Sequence, residues 1–318
     1  MFDPAPRPAG RLARLGVVFD ASTAAERIPG LARMCERAGI DVVWIADGLI
    51  EDELATDQAA KSDALVIAGA LQATLARMAV GVLVSSRRLR EALLVATEPP
   101  PDPRPRIEVG IVDAGKSSLE GSVVAAQAGG DTRVLNPLGP RVRLSAAVSD
   151  VESTRVLLPL VDEIILPGWW YADLESAADE ARAQCAEMSR EVGTLGVGAL
   201  LPVSVGRTQA EASARAEMDN GFARFGDPAE VGIFGTLEEC QDRVIALAHA
   251  GVTDLLCLLP RTDDVHDVVA QLTGITIGTT DVLQPGSLRS EAPPPPDGWG
   301  GRPERHPTAR VSGGSRRR

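Results

Sequence analysis

The stretch "AGIDVVWIADGL" (residues 38–49) runs through the apolar, β-prone residues Val42 to Ala46 and stops at Asp47 followed by Gly48. A short unbroken apolar run of this kind reads as a strand buried on both faces, as in parallel sheets covered by helices. A carboxylate at the end of such a strand sits where α/β folds deliver groups to an active site. Whether the unit repeats decides the fold.

It does repeat. "LGVVFD" (15–20) reads as a strand, and "STAAERIPGLARMCERAG" (22–39) as an amphipathic helix with Ser22 or Thr23 as N-cap and Gly39 closing it. After the second strand, "DALVIAGALQAT" (63–74) is helical and "RMAVGVLV" (77–84) is the third strand. The helix on "RLREALLVATE" (88–98) stops against "PPPDPRPR" (99–106), which cannot continue it, and "IEVGIV" (107–112) is the fourth strand.

Beyond that point "SSLEGSVVAAQAGG" (117–130) reads as a short, glycine-broken helix, "RVRLSAAV" (141–148) as a strand, "VESTRVLLPL" (151–160) as a helix and "VDEIILPG" (161–168) as a strand. "YADLESAADEARAQCAEMSREVG" (171–193) is a helix, "TLGVGALLPVSVG" (194–206) a strand and "TQAEASARAEM" (208–218) a helix. "TLEECQDRVIALAHAG" (236–251) is a helix whose Thr236 and Glu239 form a capping box, before the strand "VTDLLCLLP" (252–260) and the helix "VHDVVAQLTG" (265–274).

About eight strands alternating with helices call for a parallel sheet, and their span matches a (β/α)8 TIM barrel. An open doubly wound sheet is the alternative. Residues 1–12 read as a flexible N-terminus, 13–280 as the barrel domain, and 281–318 as a disordered tail rich in proline, glycine and arginine.

Composition narrows the function classes. The formal net charge of −12 over 318 residues argues against a nucleic-acid partner, whose phosphates need a basic face. No apolar run approaches the roughly 20 residues of a membrane span, and the proline-broken start has no signal-like core. Cys35, Cys185, Cys240 and Cys257 form no CxxC pair, so reduced thiols in a cytoplasmic protein are expected. Only His249, His266 and His306 are present, too few for a histidine-rich metal site. His249 is placed on the solvent side of its helix.

Two constellations could carry chemistry. Gly110 to Ser117, "GIVDAGKS", fits the G-x-x-x-x-G-K-[ST] phosphate loop between a strand and a possible helix. Ile111 and Val112 prolong the strand's apolar run where such a loop needs solvated backbone. The helix after it is short and glycine-interrupted, so the readings are a coincidental match, a loop for one phosphate of a cofactor, or a nucleotide binder. Trp169-Trp170-Tyr171 gathers scarce aromatics at the end of a strand, either to stack on a flat ligand or as a hydrophobic plug.

In order and spacing these segments resemble the luciferase-like flavin- and deazaflavin-dependent oxidoreductases over most of residues 13–275. The likeness is carried by "RLGVVFD" with "CERAGIDVVWIADGL", by "RMAVGVLVSSRRLREALLVA" including Arg90, by "RPRIEVGIVDAG", and by "GRTQAEASARA" with "FGTLEECQDRVIALAHAGVTDLLCLLP". It implies a barrel with the ring of FMN or F420 at its C-terminal mouth, and oxidoreductase or monooxygenase chemistry on a small organic substrate. It also implies that Leu83-Val84 is the bulged, often cis, peptide under the ring, and that Gly110 leaves room for the ring edge. Ser149 falls after the fifth strand, where the family receives phosphate, and Trp169 is a further cofactor contact. A homodimer is possible on the same grounds.

Many family members follow the acid of the second strand with a catalytic histidine. Here glycine stands at 48, which leaves that role empty or moves it to Asp47, Glu51 or Asp52. "PDPRPR" replaces a Ser-Gly-Gly-Arg turn, "AVSDVES" lacks paired glycines, and the segment between the fourth and fifth strands is short, so the barrel could be incomplete there. A non-catalytic flavin-binding or partner protein is the alternative reading of the resemblance.

Overall fold

Leu15, Val17 and Phe19 alternate with Arg14, Gly16, Val18 and Asp20, so the first strand, β1 (Arg14–Asp20), sends two kinds of side chain to two faces. The first set joins the large core shared with the helices, and Val18 belongs to a separate apolar cluster inside the sheet. The structure is a computed structural model. It describes residues 12–21, 26–47, 63–85, 88–97, 107–112, 143–149, 154–155, 157–158, 161–187, 195–217, 225–259 and 265–276. The predicted helix at 117–130, residues 113–117 of the phosphate-loop motif, the candidates Gly48, Glu51 and Asp52, and the 281–318 tail all lie outside the described residues.

The strands after β1 are β2 (Val42–Ala46), β3 (Ala79–Val84), β4 (Ile107–Ile111), β5 (Arg143–Ala147), β6 (Glu163–Pro167), β7 (Gly196–Gly206), β8 (Ile233–Thr236) and β9 (Asp254–Leu258). The helices are α1 (Ile28–Ala38), α2 (Ala64–Thr74), α3 (Leu89–Thr97), α4 (Leu174–Glu187), α5 (Gln209–Glu217), the single turn α6 (Pro228–Val231), α7 (Leu237–His249) and α8 (Val265–Thr276). Among the described residues every strand pairing is parallel, and β1 to β7 with β9 form a closed ring of eight. Closure excludes the open sheet. It also corrects the expectation of a gap, because β4 pairs directly with β5 from Glu108–Arg143 to Ile111–Ala146. A shortened connection costs helix cover outside the ring, whereas closure depends only on the strand ladder.

Helix α1 corrects another expectation. It starts at Ile28 rather than at Ser22 or Thr23, with Pro29 in its first turn. Proline has no N–H and clashes with the carbonyl four residues back, so it fits a first turn and not the middle of a longer helix. Gly39 closes α1 at φ 82°, and the Thr236–Glu239 capping box opens α7. The short strand β8 escaped the sequence reading. It pairs with Val203–Gly206, the half of β7 that runs on past its pairing with β9.

Pairing also fixes what fills the barrel. Partners run Asp20, Ala46, Leu83, Gly110, Ser145, Glu163, Gly196 around the ring. Gly198 then meets Asp254, which meets Arg14, so the circuit from Gly196 re-enters β1 at position 12, eight residues below Asp20. A stagger of eight over eight strands is that of a TIM barrel, whose inward side chains stack in layers of four from alternate strands. Counting upward, Arg14, Ala79, Arg143 and Gly196 form the floor, followed by Val42, Glu108, Glu163 and Asp254. Gly16, Gly81, Ser145 and Gly198 come next, then Trp44, Gly110, Ile165 and Leu256, and then Val18, Leu83, Ala147 and Leu200.

The glycine layer exists because of Trp44. A Cβ on Gly81 would overlap the indole ring, and one on Gly16 would lie 3.1 Å from Trp44 Cδ1. The indole therefore lies across the barrel on bare backbone, fully buried, and its Nε1 has no hydrogen-bond partner among the described residues.

Below it, two guanidiniums face three buried carboxylates. Arg14 grips both oxygens of Glu108 at 2.8 and 2.5 Å, and Arg143 grips both oxygens of Asp254 at 2.9 and 3.1 Å. Glu163 is left with the Ser145 hydroxyl, which donates to Oε2 at 2.6 Å, and with Arg143 at 3.4 Å from Oε1. Burial opposes the charge of Asp254, but Arg143, Arg14 and the Thr253 hydroxyl outweigh it and hold that carboxyl below its usual range. Burial dominates at Glu163 and pushes its carboxyl from 4.5 up to about 8.

The folded chain therefore holds a proton on Glu163 that the unfolded chain releases. This contribution to stability is complete below pH 4.5 and is lost as pH rises toward about 8. Urea unfolding at stepped pH is expected to show the wild type weakening across that window, by up to about 1.4 kcal/mol per pH unit. Glu163→Gln, which copies the neutral form, should be flat over the same range. Parallel slopes for the two proteins would contradict the assignment.

Candidate active site at the barrel mouth

The C-terminal ends of the strands define the mouth, the end at which (β/α)8 enzymes hold their reactants. Its inner lining is apolar up to Ala46, Val112, Pro167 and Leu258. Above them the alternation brings Asp20, Ser85, Ser149 and Pro202 inward as the last layer. Backbone bonds past the strand ends support this register: Ala21 N–H to Ala46 O at 2.8 Å, Asp47 N–H to Leu83 O at 2.8 Å and Val148 N–H to Ile165 O at 3.1 Å.

One wall is aromatic. Gly168–Trp170 form a single 3-10 turn, in which Trp169 lies 4.2 Å from Phe225 and 6.2 Å from Trp170, ring centre to ring centre. The Tyr171 hydroxyl donates to Val148 O at 2.7 Å, tying this turn to the end of β5. Both tryptophans are half-buried against the inner cluster, so Trp169 supports the wall while keeping part of its ring accessible.

Asp47 is half-buried at the same end, but Val42, Trp44 and Ala46 face inward, so alternation turns Asp47 away from the axis. Its carboxylate accepts from Arg88 Nη1 at 2.6 Å. Arg88 also donates through Nη2 to both oxygens of Asp63, at 2.9 and 2.8 Å, and through Nε to Glu91 at 3.1 Å. Asp63 is the N-cap of α2 and accepts from Leu65 N–H at 2.8 Å. Burial works against its charge, yet Arg88 and that N–H hold its carboxyl below the usual range. The cluster joins the end of β2 to the first turns of α2 and α3. Neither Arg88 nor Asp63 was anticipated; the signal available was Arg88–Glu91 at helical i, i+3 spacing.

The other predicted residues separate. Leu83 faces the barrel and is fully buried, whereas Val84 packs outward into the helix-facing core. No described peptide bond is cis, so Leu83-Val84 is a trans link continuing the ladder to Ile111, which corrects that expectation. Gly110 lies lower, and a Cβ there would strike the Leu83 side chain and approach Trp44 Cζ3 at 3.3 Å. Its space is filled by the protein's own side chains rather than held open for a ring edge. Gly110 and Ile111 are also ladder residues, so the phosphate-loop match begins inside a strand. Ser149 is exposed on the rim and His249 is exposed in the last turn of α7.

None of the four cysteines is in a disulfide, and burial pushes the Cys35, Cys240 and Cys257 thiols up to about 12.

The sequence matches no protein-family model and no curated protein. In structure it resembles the coenzyme F420-dependent tetrahydromethanopterin reductase from Methanopyrus kandleri, with a TM-score of 0.60 and 12% identity over 83% of this chain and 98% of that one. An F420-dependent secondary alcohol dehydrogenase in complex with an F420-acetone adduct gives 0.60 and 12% over 82% and 98%. A long-chain alkane monooxygenase gives 0.56 and 13% over 82% and 90%. At these identities the likeness establishes the fold, the closed (β/α)8 barrel that this chain shares with these proteins.

Proposed function

We propose that this chain is an oxidoreductase or monooxygenase that holds the ring of FMN or F420 at the barrel mouth and acts on a small organic substrate. The observation that carries the reading is the make-up of the mouth: small apolar residues (Ala46, Val112, Ala147) under a polar rim (Asp20, Ser85, Ser149), with Trp169 and Phe225 on one side. A flat ring with an apolar body and polar edges fits such a lining. The cofactor supplies the redox chemistry when bound, and the protein supplies placement and exclusion of water. Trp169 would cover one side of the ring, the rim hydroxyls would meet its polar edge, and Leu83 and Trp44 would close the space beneath it.

We further propose a homodimer in the cytoplasm. Helix α2 carries no charged side chain, and Val66 on it is 69% exposed. No described helix is long and apolar enough to cross a membrane.

The test is a titration of the purified chain with FMN and with F420, read by ligand absorbance and by quenching of tryptophan fluorescence. Saturable 1:1 binding of one of them is expected. Binding of neither overturns the proposal, and magnesium-dependent ATP binding in its place would favour the phosphate-loop reading. The tie between Asp47 and Arg88 favours a second reading, a barrel that binds the ring without turnover, because it engages the carboxylate expected to act. Binding of FMN or F420 with no oxidation or reduction of any substrate would support that reading.

A further inference from the structure

We propose that Asp20, rather than Asp47, is the carboxylate that faces the ring and substrate at the mouth and sets the charge there. This inference rests on the cofactor reading above. Three observations carry it. On β1, Arg14 reaches Glu108 across the floor, Gly16 lies against Trp44 and Val18 belongs to the inner cluster, so the two-residue period carries Asp20 inward. Asp20 is the last residue of β1 and is paired with Ala46, which places it in the top layer with Ser85 and Ser149. It is 4% exposed, so its charge acts through protein and ligand more than through water.

The neighbouring charges do not duplicate it. The described acids at the end of β2 and the starts of α2 and α3, Asp47, Asp63 and Glu91, are all bound by Arg88. From β9 the adjoining inward side chain is the apolar Leu258, and from β3 and β5 the top layer presents serines. Asp20 is thus the inward-facing carboxylate of the mouth among the described residues.

Reduced FMN and reduced F420 both lose a ring proton near neutral pH, so the ionisation of the bound, reduced ring reports a nearby negative charge. A carboxylate facing the ring opposes that ionisation. Asp20→Asn keeps the shape and removes the charge. It is expected to raise the ionisation constant of the bound reduced ring about tenfold, read as a fall of about one pH unit in the midpoint of its absorbance change. Asp47→Asn is expected to move it less than twofold.

Asp20→Ser also lacks the charge and provides the same comparison should the asparagine variant fail to fold. A purely structural Asp20 would lower the melting temperature and leave the midpoint in place, and that result overturns the inference. A larger shift with Asp47→Asn than with Asp20→Asn also overturns it. If the wild type binds neither FMN nor F420, the cofactor reading fails first and this inference falls with it. Binding with an unmoved midpoint removes only the role given to Asp20.

Discussion

Trp44→Ala is expected to lower the unfolding free energy by about 3–5 kcal/mol, among the largest losses a single substitution in this chain can produce. The indole is fully buried at the centre of the barrel and lies on the backbones of Gly16 and Gly81 with Leu83 close by. Strand backbone in a closed ladder cannot collapse into the space, so the transfer and cavity costs both stand. Denaturant unfolding followed by circular dichroism measures the loss, and a change below about 1 kcal/mol would show that the barrel repacks freely. Gly81→Ala should destabilise for the complementary reason, since its methyl overlaps the ring. Combined with Trp44→Leu it should cost less than the sum of the two single changes, because the residues share one volume.

The second large effect is expected at Arg143. Arg143→Met removes one of two cations that balance the carboxylates of Glu108 and Asp254 inside the floor. Breaking a buried ion pair by deleting one partner typically costs about 3–5 kcal/mol, because the remaining charge is buried without compensation. Adding Asp254→Asn removes the carboxylate that Arg143 grips and should recover part of the loss. If the double variant is as unstable as the sum of the singles, the two side chains are not coupled as the geometry requires.

The order of strands and helices was legible because burial on both faces leaves short apolar runs that punctuation by Gly, Pro and caps separates cleanly. What failed was local. Pro29 moved the start of α1, and the four residues of β8 were too few to stand out between glycines. At the mouth, Asp47 attracted the reading because it ends the most apolar strand, yet side-chain direction is a matter of parity, and position 47 has the opposite parity to Trp44 and Ala46. The same count applied to "RLGVVFD" would have singled out Asp20. At Gly110 the bulk that occupies the space beside the bare backbone comes from Leu83 and Trp44 on other strands, which the sequence does not show. Beyond its i, i+3 spacing to Glu91, the role of Arg88 was not legible, since its partners Asp47 and Asp63 lie 41 and 25 residues away in sequence.

The pairing of β1 with β9 has a consequence for biosynthesis. Arg14 stands beside Asp254, so 240 residues must be added after the first strand emerges before its second neighbour exists. At about 5–20 residues per second, this leaves the first strand with an unpaired edge for roughly 10–50 s on the ribosome. Until then the floor also lacks Asp254, the carboxylate against which both of its guanidiniums lie. The nascent barrel is an open, edge-bearing sheet through most of its synthesis, and contacts of such long sequence separation make closure a late step of folding.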